Sequence, residues 1–129
     1  MVVLGCLLCA QVNAHQWTPT YPKVTGSFVP GIYQAKMYLW NNRKDVSYYT
    51  FEVFDEDFLP VPFATAERTI QLDYLKKKEV VIYFREADYL RSVYICSRSM
   101  ILQGDVSRTV ISSRICSKKR WHCVYRSQR

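Results

Sequence analysis

The chain has 129 residues, enough for one domain of ordinary size, and 49% hydrophobic with 15% aromatic content lets it bury a core. These proportions exclude a disordered chain, and ten tyrosines against four glycines favour strands. The net charge of +7 is concentrated: from Ser112 onward Arg114, Lys118, Lys119, Arg120, Arg126 and Arg129 meet no acid, leaving 12 basic against 11 acidic residues before them.

Residues 1–14 carry no charge. Val2-Val3-Leu4-Gly5-Cys6-Leu7-Leu8-Cys9-Ala10 is an apolar run of nine, well short of the ~20 residues of a membrane helix. Val12-Asn13-Ala14 then offers the small and β-branched side chains that a signal peptidase accepts. The segment reads as a secretory signal peptide cleaved after Ala14, with a buried first strand as the alternative. Residues 15–30, with Pro19, Pro22, Gly26 and Pro30, read as extended and irregular, with a first edge strand around 23–28.

From Gly31 the pattern becomes regular. Tyr33, Ala35, Met37 and Leu39 alternate with Gln34, Lys36, Tyr38 and Trp40, the two-residue period of a strand. Asn41-Asn42-Arg43-Lys44-Asp45 is turn chemistry, and the expectation is a hairpin joining this strand to the next. That next strand, 47–54, puts Tyr49, Phe51 and Val53 on one face. Asp55-Glu56-Asp57 reads as an acidic strand-end turn rather than a calcium loop, because it lacks the glycine and the twelve-residue pattern. Further short strands follow: 69–73 with Ile70 and Leu72 inward, 80–85 with Val80, Ile82 and Phe84 inward, 93–97, and 109–116. Tyr74 to Glu79, with Lys76-Lys77-Lys78, reads as a polar turn, and 87–91 as one helical turn. About seven short strands at regular spacing predict an all-β fold, a single immunoglobulin-like β-sandwich over 15–118, followed by a basic tail over 119–129.

Cleavage after Ala14 leaves Cys96, Cys116 and Cys123. Tyr94-Ile95-Cys96-Ser97-Arg98 and Arg114-Ile115-Cys116-Ser117-Lys118 set two of them in matching contexts at the ends of the last two strands, so a Cys96–Cys116 disulfide is expected, with free buried thiols as the alternative. Cys123 is the odd cysteine, either free or bonded to another chain.

Little in the chain points to catalysis. There is no nucleophile elbow, no phosphate-binding glycine loop and no zinc-protease helix, and the two histidines stand near opposite ends. No enzyme and no cofactor are expected. One rival remains: His15, exposed as a mature N-terminus, offers amine and imidazole to copper, with His122 as the second imidazole. The basic tail, Lys118, Lys119, Arg120, Arg126 and Arg129, reads as a solvated extension or as a site for an anionic envelope polymer. The aromatics suit a core better than a base-stacking platform, so no specific nucleic acid is expected.

Asn41-Asn42, Tyr48-Tyr49, Asp55-Glu56-Asp57, Ile70-Gln71-Leu72, Lys76-Lys77-Lys78 and the strand 80–85 occur in an order that resembles the N-terminal immunoglobulin-like domain of periplasmic pilus chaperones. From Thr18-Pro19-Thr20-Tyr21-Pro22-Lys23 to Ile115-Cys116-Ser117-Lys118 the chain also resembles small exported proteins of unassigned role encoded by marine bacteriophages. The first resemblance implies strand addition at an exposed sheet edge; the second implies export and phage origin. The resulting expectation is an exported, phage-encoded module, periplasmic, extracellular or virion-associated, that binds another protein. Its candidate edge is the strand bearing Val110, Ile111, Ser112 and Arg114. The rival within the same class is a virion structural or decoration protein.

Overall fold

The computed structural model describes residues 15–100 and 113–120. These form β1 (Gln16–Thr18), β2 (Thr25–Gly26), β3 (Ile32–Trp40), β4 (Tyr48–Phe54), β5 (Thr69–Gln71), β6 (Lys77–Arg85), α1 (Glu86–Arg91), β7 (Tyr94–Met100) and β8 (Arg114–Lys118). In the first sheet β3 is central. It pairs along its whole length with β6, and on its other side with β1 at one end and β2 at the other. The second sheet runs β5-β4-β7-β8. Every pairing is antiparallel. This is the strand order of an immunoglobulin-type sandwich, with β1 and β2 sharing the place of the first strand. An isolated bridge from Ala64 to Tyr83 stands where that fold has its fourth strand. The described residues thus hold eight strands, against the seven or so expected.

The core lies where the alternation placed it. Ala35, Met37 and Leu39 of β3 and Val80, Ile82 and Phe84 of β6 are buried opposite Tyr49, Phe51 and Val53 of β4 and Ile95 of β7. Each such large apolar side chain contributes about 1.5–3 kcal/mol on burial. β1, too short to show a period, adds Trp17, which stacks on Phe51 and donates its indole N–H to the Ile95 carbonyl at 2.9 Å.

The hairpin expected between β3 and β4 does not form; the two strands belong to different sheets. Both bury their apolar alternates, and facing one another across the core satisfies both. The crossing is organised by Asn41, which is fully buried. Its amide donates to the Val46 and Leu72 carbonyls, both at 2.7 Å, and its Oδ1 accepts from the Arg43 N–H at 2.9 Å and the Tyr49 hydroxyl at 2.6 Å. Two donors and two lone pairs are all used, so the corner has one arrangement.

The lysine-rich segment also differs from its expected turn. The turn is confined to residues near Tyr74 and Leu75, the latter at φ 63°, and β6 already begins at Lys77. Lys77, Lys78 and Glu79 pair with Trp40, Leu39 and Tyr38; a strand at a sheet edge needs a backbone partner, not an apolar side chain. Beyond Val81 the outer side of β6 is closed by Ala64, which exchanges two hydrogen bonds with Tyr83. The strand expected around 23–28 is reduced to Thr25–Gly26, β7 extends to Met100, and β8 runs two residues past Cys116.

Candidate functional site

β8 is the last strand of the second sheet, and its register determines what its edge offers. Ser99 N–H donates to the Ser113 carbonyl at 2.9 Å, and Lys119 N–H to the Val93 carbonyl at 2.7 Å. The odd-numbered residues of this strand therefore bond to β7. Arg114, Cys116 and Lys118 stand opposite Arg98, Cys96 and Tyr94 at positions whose backbone groups point the other way. Two consequences follow. Side chains approach most closely at such pairs, and Cys96 and Cys116, with Cα atoms 4.1 Å apart, form the expected disulfide. The second consequence is an outward row of N–H and C=O groups.

Half of that row is occupied. Lys118 N–H donates to the Thr20 carbonyl at 3.1 Å and Arg120 N–H to the Pro22 carbonyl at 3.0 Å. Among the described residues no such bond reaches the N–H of Arg114 or of Cys116. Among the described residues, two outward positions without such a bond thus lie beside a closed half. Val110, Ile111 and Ser112, expected to share this edge, lie outside the described residues.

The side chains around the open half are held in place. Arg114 donates from Nε and Nη2 to the two oxygens of Glu52, at 3.1 and 3.3 Å, and its guanidinium lies 5.2 Å from the Phe54 ring centroid. Arg98 approaches the same carboxylate at 3.5 Å. Next to this group Phe58 stacks on Tyr94, with centroids 4.5 Å apart, and tilts against Phe54 at 5.8 Å. Sequence reasoning missed this cluster, because Phe58 sits inside the acidic turn. That turn is built by Asp55, whose Oδ1 accepts from the N–H groups of Asp57 and Leu59, both at 2.9 Å, and it places Phe58 at φ 59°.

Of the expected basic tail, Lys118 and Arg120 are exposed, but Lys119 is not. Its residue is 5% exposed; Nζ donates to the Tyr89 carbonyl, lies 3.3 Å from Ser92 Oγ and stands 4.1 Å from the Tyr89 ring centroid. Burial pushes its ammonium down to about 8. The strand period explains the difference: Lys119 follows Ser117 on the inward side, and its stem is long enough to reach α1. Lys119 is therefore not part of a solvated extension. Arg126 and Arg129 lie outside the described residues.

His15, the residue on which the copper reading rests, lies inside the sandwich. It is 2% exposed, with Nε2 at 2.7 Å from Ser97 Oγ, Nδ1 at 3.3 Å from Ser113 Oγ, and its ring edge-on to Tyr49 at 4.9 Å. Burial lowers its pKa to about 4, the Ser97 hydrogen bond opposes this and Arg43 adds to it. The same burial raises the Tyr49 phenol to about 12. An exposed terminal imidazole was the premise of the copper reading, and here both ring nitrogens are engaged inside the sandwich. His122, Cys123 and residues 1–14 lie outside the described residues. Among the described residues no helix is long and apolar enough to cross a membrane. No family model matches this chain, and no curated protein matches it.

Proposed function

We propose that the chain is an exported, non-enzymatic, phage-encoded module that binds another protein by strand addition at the open half of the β8 edge. The observation that carries this reading is the pair of outward backbone positions, Arg114 and Cys116, beside a half-edge closed by Thr20 and Pro22. A partner strand laid there extends the second sheet, gaining affinity from main-chain bonds and selectivity from the side chains alongside. The Phe54–Phe58–Tyr94 cluster supplies such neighbours.

The test is affinity capture from a bacterial envelope fraction with wild type, Arg114→Ala and Arg114→Pro. Proline removes the outward N–H without touching the ladder to β7, whereas alanine removes only the side chain. A partner retained by wild type and the alanine variant and lost by the proline variant, with all three folded, supports the reading. Equal capture by all three overturns it.

A further inference from the structure

One end of the sandwich carries exposed apolar side chains on protruding tips. Ile32 opposite Arg85 and Tyr94 opposite Lys118 place the β2–β3 turn, α1 and the end of β8 there together. Phe28, at 104% of its reference exposure, and Val29, at 59%, form the tip of the β2–β3 turn, while Leu90, at 67%, projects from α1. Stacking of Tyr33 on Tyr89, with centroids 4.6 Å apart, ties the two tips to one another.

This exposure is built rather than slack. Ser27 N–H donates to the Ile32 carbonyl at 2.9 Å, Ile32 N–H to the Val29 carbonyl at 3.1 Å, and Val29 N–H to Ser27 Oγ at 3.1 Å. Gly31 closes the turn at φ 81°, a conformation that costs glycine little. A rigid turn therefore holds a phenyl ring wholly in water. The cations beside it are positioned too: Asp88, itself buried, takes Arg85 Nε at 3.0 Å and Arg91 Nη2 at 3.1 Å, leaving both guanidinium side chains more than half exposed on either side of Leu90. Lys23, Lys118 and Arg120 are exposed at the same end.

We propose that this end docks peripherally on a lipid bilayer bearing anionic headgroups. Phe28, Val29 and Leu90 enter the boundary between headgroups and acyl chains, and Lys23, Arg85 and Arg91 meet lipid phosphates. The apolar residues stand on separate convex tips, which suits a deformable layer that closes around each of them. On the first-sheet side of this end Lys23, Arg85 and Arg91 flank them, against Glu86 and an Asp88 bound to both arginines. The acidic turn at Asp55, Glu56 and Asp57 belongs to the second sheet at this end, so the molecule sits with its first-sheet corner toward the lipid. Docking there leaves the flank of β8 free.

The test is co-sedimentation of the full oxidised protein with vesicles of phosphatidylcholine alone or mixed with phosphatidylglycerol. Wild type partitions to the mixed vesicles and far less to the neutral ones, and rising salt weakens it. Phe28→Ser lowers partition by at least about tenfold with an unchanged melting temperature, and Lys23→Glu lowers it by a smaller factor. Phe28→Trp is quenched by lipids brominated on their acyl chains. No partition to either vesicle, or wild-type partition by Phe28→Ser, overturns the proposal. So does loss of protein capture by Phe28→Ser in the absence of vesicle binding, which assigns the tip to a protein partner.

Discussion

The Tyr49 hydroxyl donates to Asn41 Oδ1 at 2.6 Å, joining the residue that follows β3 to the start of the opposing core strand β4. The same Asn41 amide holds Val46 and Leu72, so one side chain ties β4, the crossing segment and the chain after β5. Asn41→Ala strands two buried carbonyls and the Tyr49 hydroxyl and is expected to cost about 2–4 kcal/mol. Tyr49→Phe removes one bond, leaves Arg43 on the Oδ1, and is expected to cost about 1–2 kcal/mol. Urea denaturation of both variants checks the order. A smaller loss for Asn41→Ala than for Tyr49→Phe would show that the amide does not organise the corner.

His15 makes stability depend on acid. Its pKa falls from the ordinary 6.5 to about 4 on folding, mainly through burial. Between those values the unfolded chain binds the proton and the folded one does not, so the contribution is complete above about 6.5 and is lost as pH drops toward 4. From pH 7 to pH 5 this amounts to about 1–2 kcal/mol, allowing for partial screening. His15→Phe should be less stable at pH 7 yet show a shallower fall toward pH 5. An identical slope in the two proteins would remove His15 from the titration.

The Cys96–Cys116 bridge closes a sequence separation of 20 residues. Opening it by Cys96→Ser with Cys116→Ser is expected to cost about 3 kcal/mol. Hydrogen exchange should show the loss concentrated in β8, the strand that the bridge ties to β7, and a uniform increase over both sheets would contradict this.

The Arg114–Glu52 pair is short and two-pronged but about two-fifths of the arginine side chain meets solvent. Arg114→Ala should therefore cost less than about 1 kcal/mol. A loss of several kcal/mol in thermal denaturation would mean that the arginine holds the strand and cannot serve as the neutral control for the proline variant.

Alternation made the core legible: Ala35, Met37, Leu39, Tyr49, Phe51, Val53, Ile82 and Phe84 are buried as their spacing requires. The matched contexts of Cys96 and Cys116 pointed to their bond. Which strands become neighbours was less visible, because a period of two names a face and not a partner; β3 and β4 read as a hairpin and instead face each other. β1 has three residues with one buried, too few for any period. Lys119 was misplaced because residue type argued for water, while its position beyond β8 and its partners on α1 put it inside; the burial of His15 rests on Ser97 and Ser113, far away in the chain. Of the candidate edge read from the sequence, Arg114 lies in β8, and the bonds that close the half beyond it come from Thr20 and Pro22, almost 100 residues away in the chain.

The lysines at the start of β6 give the molecule two unlike flanks. The outer side of that strand presents Lys77 and Lys78 where Ala64 no longer covers it, a charge arrangement that repels an incoming strand. The β8 flank is guarded differently, by the bonds that Lys118 and Arg120 make to Thr20 and Pro22 along half of its length. Pairing of β6 of one copy with β8 of another is therefore disfavoured at the lysine end of β6.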